Sequence, residues 1–150
     1  MSNKELNPKQ VEILNSTFLG NLSTLRHNDG YISTNPVSFH WTGEEIEIST
    51  LKSRMKYKNL VADPRATFCV IDPQNHMSYV EVRGSVRFVD DPDASLMRES
   101  FFRITGEYPP EDLDPPGSER VMLFLKPEQV SSPKLYGGRL DDYAEGGTER

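Results

Sequence analysis

Residues Ser49 to Leu60 read STLKSRMKYKNL. An alternating segment, Glu45 to Thr50, leads into them. Ile46 and Ile48 fall on one side of it and Glu45 and Glu47 on the other, the period-two pattern of a half-buried strand. Met55 to Ala62 then reads as a short helix that stops before Asp63-Pro64, because proline disfavours helical geometry in its predecessor. The junction places Lys52, Arg54, Lys56 and Lys58 within ten residues of a 150-residue chain whose formal charge is −6. Ser53 is positioned to cap the helix, which would leave backbone N–H groups facing an anion. Arg54 offers a planar fork and Lys56 a mobile point charge. The segment alone supports two readings, a phosphate seat and a solvated basic turn paired with nearby acids.

The flanking sequence predicts mostly strands. Upstream, Leu19 to Arg26 is a strand, and Asp29-Gly30 is a hairpin signal because glycine accepts positive φ. Tyr31 to Trp41 is read as one second strand. Pro36, which cannot donate to a sheet ladder, marks it as an edge or a bulge. Thr42-Gly43 turns the chain into the strand that feeds the basic junction. Downstream, Arg65 to Ile71 is a strand. Met77 to Asp90 is the longest, with Val80, Val82, Val86 and Phe88 on one side and Glu81, Arg83, Ser85 and Arg87 on the other. Gly84 breaks the apolar row and predicts a bulge or a close backbone approach. Val121 to Leu125, apolar on both sides, predicts a strand buried on both faces.

Three helices complete the pattern. Pro8 to Thr17 has Asn7 as N-cap, with Val11, Leu14 and Phe18 on its packing face. The basic-turn helix is second. The third opens at Asp91-Pro92, with Asp91 as N-cap, and runs to Thr105, where Gly106 stops it. Glu107 to Glu119, rich in proline and acid, is an exposed loop, and residues 140–150 are expected to be a disordered tail.

Strands joined by short turns rule against parallel βαβ folding. The expectation is a mainly β (α+β) single domain over residues 1–150, a six-stranded antiparallel split or closed barrel with a core over residues 18–130. The acidic balance argues against nucleic acid as the main partner. No apolar run approaches the ~20 residues of a membrane span, and the polar start MSNKELNPKQ lacks a signal-peptide core. One cysteine, Cys69, fits a reducing cytoplasm and is read as a core residue.

Chemistry-bearing motifs are sparse. His27, His40 and His76 lack metal-site spacing, and no nucleophile elbow, dinucleotide fingerprint or P-loop occurs. No catalytic side chain is singled out. A phosphate seat beside a barrel with no acid, base or nucleophile set suits an enzyme whose cofactor carries the reaction.

Three segments carry a family resemblance: Leu22 to Phe39 (LSTLRHNDGYISTNPVSF), Ser49 to Asp72 (STLKSRMKYKNLVADPRATFCVID) and Ser78 to Asp91 (SYVEVRGSVRFVDD). The R-x-K-x-x-N-L element followed by D-P-R-A is the most specific. Together they resemble the pyridoxamine-5′-phosphate-oxidase-like split β-barrel superfamily, and within it the B-type flavin/deazaflavin oxidoreductases that use coenzyme F420. The resemblance implies that Thr34, Asn35, Pro36 and Val37 border the flavin-like ring. It implies that Ser49 and Thr50 meet the ring or ribityl chain, and that Arg54, Lys56 and Asn59 hold the phosphate with help from Lys52. It further implies a homodimer in which Met77, Ser78 and Tyr79 approach the cofactor held mainly by the other chain. The activity implied is hydride transfer to a small conjugated, electron-poor substrate. FMN is the alternative cofactor for the same seat, and a non-catalytic flavin or tetrapyrrole carrier is the alternative outside enzymes.

Overall fold

The computed structural model describes residues 5–132 and 135–139. The expected tail, residues 140–150, lies outside them. Among the described residues, seven strands form one antiparallel sheet: β1 Leu19–Leu25, β2 Ile32–Ser38, β3 His40–Trp41, β4 Ile46–Leu51, β5 Arg65–Asp72, β6 Asn75–Asp90 and β7 Arg120–Ser131. Their order across the sheet is β2-β1-β5-β6-β7-β4-β3. Three α-helices accompany them: α1 Pro8–Ser16, α2 Met55–Ala62 and α3 Ser95–Thr105. The barrel class is as expected, with one strand more than the six read from sequence.

The extra strand comes from dividing the segment read as Tyr31 to Trp41. Its first part, β2, pairs along its length with β1, whereas His40 and Trp41 pair with Glu47 and Ile46 of β4. The two edge strands of the sheet are therefore consecutive in the chain, and Phe39 is the corner between them. Its amide donates to the Phe18 carbonyl at 2.9 Å. Its buried ring meets Phe68 edge-on at 4.9 Å. A single apolar corner thus folds the sheet back on itself as a half-barrel. Period-two reading could not show this, because the apolar alternation continues through the corner.

Inward side chains fill the barrel: Leu22, Ile46, Ile48, Phe68, Val70, Val80, Val82, Val121, Leu123 and Leu125. Pro36 sits on edge strand β2, where its missing donor costs nothing. Gly84 satisfies both of its readings. The β6–β7 register shifts between Arg83 and Gly84, and a Cβ on Gly84 would stand 1.9 Å from the Lys126 carbonyl oxygen. Phe88, expected in the apolar row, is exposed and meets Tyr57 edge-on.

The helices adjust three expectations. In α1, Asn7 and Gln10 form a reciprocal capping box, and Leu14 and Val11 pack on the core as expected, joined by Gln10 and Ile13, but Phe18 lies beyond the helix end in an exposed position. The third helix begins at Ser95, not Asp91, because residues 91–94 make a turn that ends with Ala94 in the left-handed region (φ 58°). Asp91 still caps it at a distance: its buried carboxylate accepts from the amides of Leu96 and Met97 at 3.0 and 2.9 Å. For α2 the N-cap position is Arg54 rather than Ser53, with no side-chain hydrogen bond to the helix amides.

Candidate functional site

Strand β4 alternates cleanly. Ile46, Ile48 and Thr50 turn inward, while Glu47, Ser49 and Leu51 face out and are only half-buried. Helix α3 crosses this outer side, covering it with Met97, Phe101 and Ile104. Between helix and strand lies a cavity of about 460 Å³. Residues 37–40, at the β2–β3 corner, form one wall. The β4–α2 junction contributes Arg54 and Lys56 to one end, and the acidic loop contributes Leu113 to the lining.

Among the described residues, neither Arg54 nor Lys56 has a carboxylate partner, unlike Lys52 of the same turn. Partial burial, with the neighbouring Arg54 charge adding to it, pulls the Lys56 ammonium below its ordinary pKa. Two unneutralised cations therefore stand side by side at the uncapped start of a helix. Each stands to gain from a bound anion.

The structure brings together part of the sequence-derived set. Val37, Ser49, Thr50, Arg54 and Lys56 line this one cavity. Lys52 does not: its ammonium lies 2.8 Å from Asp90 and 3.6 Å from Glu119. Asn59 is 1% exposed and faces inward. Its Oδ1 accepts from the His27 amide at 3.2 Å and lies 2.9 Å from His27 Nδ1, and its Nδ2 donates to Thr24 Oγ1. It ties α2 to the end of β1 and has no polar atom turned toward the cavity.

Thr34, Asn35 and Pro36 lie on β2 away from the cavity. Thr34 shares a hydroxyl hydrogen bond with Ser23, and Pro36 lines a separate cleft with Asn21, Cys69 and His76. Cys69 is thus not a core residue. It points to the face opposite Phe68 and Val70, half-buried, and burial, followed by the Glu81 charge, raises its thiol pKa. Met77, Ser78 and Tyr79 open β6, outside the main cavity, all half-buried.

Other cavity residues escaped sequence reading. Arg120 grips Asp114 through two hydrogen bonds of 2.7 and 2.6 Å and reaches Ser49 Oγ at 3.5 Å. This clamp ties the loop next to Leu113, which also lines the cavity, to the start of β7. His40 pairs across the sheet with Glu47. Ser100 and Arg103 descend from α3, and Ser100 donates to Glu47 at 3.2 Å. The alternation of Glu45 and Glu47 was the one available signal, since it placed Glu47 on the outer face of β4.

The sequence profile of the family described as pyridoxamine 5′-phosphate oxidase matches residues 6–132. An F420 reductase is 31% identical in sequence and superposes with a TM-score of 0.73 over 84% of this chain and 98% of its own. A conserved hypothetical protein from Mycobacterium tuberculosis is 23% identical, with a TM-score of 0.67 over 85% of this chain and 84% of its own. A pyridoxamine 5′-phosphate oxidase-related, FMN-binding protein from Nostoc punctiforme is 15% identical, with a TM-score of 0.60 over 85% of both chains. The last two likenesses concern the fold alone.

Proposed function

The chain belongs to the pyridoxamine 5′-phosphate oxidase family, and on that premise we propose that it is an F420-dependent reductase of small conjugated, electron-poor compounds. The observation that carries this reading is the pair of unpartnered cations, Arg54 and Lys56, at one end of the α3–β4 cavity. The likeness to the F420 reductase supports it. Arg54 and Lys56 would hold the phosphate, one as a fork and one as a point charge, with the free amides at the start of α2 behind them. Ser49 and Thr50 would meet the ring or ribityl chain, and Val37 would border the ring. Once bound, the coenzyme supplies the hydride. The chain fixes the reacting planes in place, which removes much of the entropic barrier. Asn59 enters as the residue that fixes α2, and so Arg54 and Lys56, against the barrel.

The residues outside the cavity fit a second copy of this chain. Leu19 and Ile71 are exposed on the β1–β5 face near Pro36 and His76, and Ile71 pairs with Tyr79. Pairing of two such faces would cover them and bring Thr34, Asn35, Pro36, Met77, Ser78 and Tyr79 toward a cofactor held by the other protomer.

One observation favours FMN as a second reading. Beyond its phosphate F420 carries an anionic tail, and of the two further cations of the turn Lys52 is already neutralised by Asp90 and Glu119, which leaves Lys58 alone for it. FMN ends at its phosphate and needs no further cation. Parallel absorbance and fluorescence titrations with F420 and FMN decide between them. Saturable micromolar binding of F420 is expected. Binding of FMN alone overturns the deazaflavin assignment. Binding of F420 with no turnover of its reduced form on quinones, biliverdin or unsaturated lactones overturns the assignment as an enzyme.

A further inference from the structure

The cavity has a second charged region that the cofactor reading leaves unused. His40 and Glu47 are direct cross-strand partners on β3 and β4, so their side chains leave the sheet side by side. From α3, Ser100 Oγ donates to Glu47 Oε1 at 3.2 Å, and Arg103 Nη1 stands 3.9 Å from the same oxygen. Ser100 and Arg103 are one helical turn apart and share a face. All four residues line the cavity, next to the apolar surface of Phe101 and Ile104. Along β4, Glu47 and Leu51 are four residues apart, roughly 13 Å at the rise of a strand. The cluster therefore lies toward the start of β4 and Arg54 and Lys56 beyond its end, so the far end of a phosphate-anchored molecule would point to the cluster.

The charges of this cluster cancel. Of the cations near this part of the sheet, Arg87 lies over the Phe124 ring with its guanidinium bound by Glu45 at 3.0 and 2.7 Å. Arg103 remains as the partner of Glu47. Its single 3.9 Å approach leaves most of its five N–H donors free. Burial first, then the Arg103 charge, lowers the His40 pKa against the opposing pull of Glu47, which keeps the imidazole neutral with one donor. The result is a cluster without net charge, in which Arg103 and His40 offer donors beside the Glu47 carboxylate, set in a partly apolar wall.

We propose that this cluster is the substrate end of the cavity, where Arg103 and His40 receive the oxygen of a neutral conjugated carbonyl compound and Glu47 excludes carboxylate-bearing analogues. An incoming carboxylate would meet Glu47 as a like charge and compete with it for Arg103. A neutral carbonyl oxygen carries only a partial charge, so it takes the Arg103 and His40 donors with far less repulsion from Glu47. The proposal rests on the reading that Arg54 and Lys56 hold the cofactor, which leaves this end for substrate.

The test uses two probes of nearly equal shape, cinnamamide and cinnamate, titrated by calorimetry into the full-length protein loaded with oxidised F420, so that no turnover intervenes. The parent is expected to bind cinnamamide about tenfold more tightly than cinnamate, the scale of one charged hydrogen bond. Glu47→Gln, which keeps the shape and removes the charge, should collapse that ratio by strengthening cinnamate. Arg103→Gln, at a helix position 43% exposed and safe for folding, should weaken cinnamamide several-fold. An unchanged ratio in Glu47→Gln, equal affinities in the parent, or no cinnamamide binding overturns the proposal. F420 and FMN affinities, measured on the same variants, should not move. If neither cofactor binds the parent, the cofactor reading fails separately, and the probe ratio is then read on the protein alone.

Discussion

The two ends of the strand-to-helix unit β4–α2 are both charged, yet they differ in kind. At the β4 end, Glu47 is answered by Ser100 and loosely by Arg103, and the charges sum to zero. At the α2 end, Arg54 and Lys56 stand beside each other with no carboxylate among the described residues. Even within the basic turn the cations divide, because Lys52, two residues from Arg54, is paired with Asp90 and Glu119. The difference teaches that a run of like charges is not itself a binding site. What makes one is the share of that charge left without an answer, and only that share is available to a ligand.

The sharpest way to break this contrast is to remove the unanswered charge. Arg54→Ala with Lys56→Ala should weaken cofactor binding by about 3 kcal/mol, on the order of a hundredfold in Kd. A double variant that binds like the parent would show that the phosphate sits elsewhere. Next in size is Asn59→Ala. It strips the buried staple from His27 and Thr24 and should lower stability by about 2 kcal/mol in urea unfolding. Cofactor affinity should fall with it, because α2 loses its anchor; intact affinity would detach the helix position from the site.

A smaller effect would sharpen the contrast by adding to it. Asp114→Ala releases Arg120 from its two-pronged hold. Stability should drop by about 1 kcal/mol. The freed guanidinium, next to Ser49, should tighten anion binding two- to threefold in a phosphate titration, and no tightening would mean that Arg120 cannot reach the seat. Lys52→Ala, by contrast, should change cofactor Kd by less than about threefold, as for a half-buried surface cation already paired with Asp90 and Glu119. A loss like that of Arg54 would place Lys52 in the phosphate seat after all.

The smallest effect is a pH signature. Lys56 has a folded-state pKa below its ordinary 10.5, so between the two values the unfolded chain binds more protons than the folded one. Stability relative to Lys56→Met should therefore rise as pH increases through that window. Bound phosphate should flatten the rise by restoring the ammonium. A difference that falls with pH in the free protein would mean that Lys56 has a carboxylate partner in solution.

Much of this architecture was legible from local pattern. The alternation of Glu45 to Thr50, the Asp29-Gly30 turn, the Asn7 cap and the Gly84 irregularity each follow from steric and hydrogen-bond rules that act within a few residues. Phe39 was not legible as a corner, because an apolar residue in an alternating run looks the same whether the strand continues or changes partner. Asn59 was not legible as a staple. An asparagine in a basic turn looks like a phosphate ligand until His27, 32 residues away, takes its oxygen. Cys69 was placed on the wrong face for a similar reason, since Phe68, Cys69, Val70 and Ile71 form an unbroken apolar run that does not declare its inward members.

By itself, the sequence determined the antiparallel barrel class, the positions of most strands and the cation-rich junction, because strand period, turn chemistry and charge are local properties. The tertiary structure alone decided which cations remain unanswered, which hydroxyls and apolar residues share a cavity with them, and which polar groups are spent on holding the fold. Charge neutralisation and burial depend on what stands a few ångströms away in space, and that neighbour is set by strand order rather than by position along the chain.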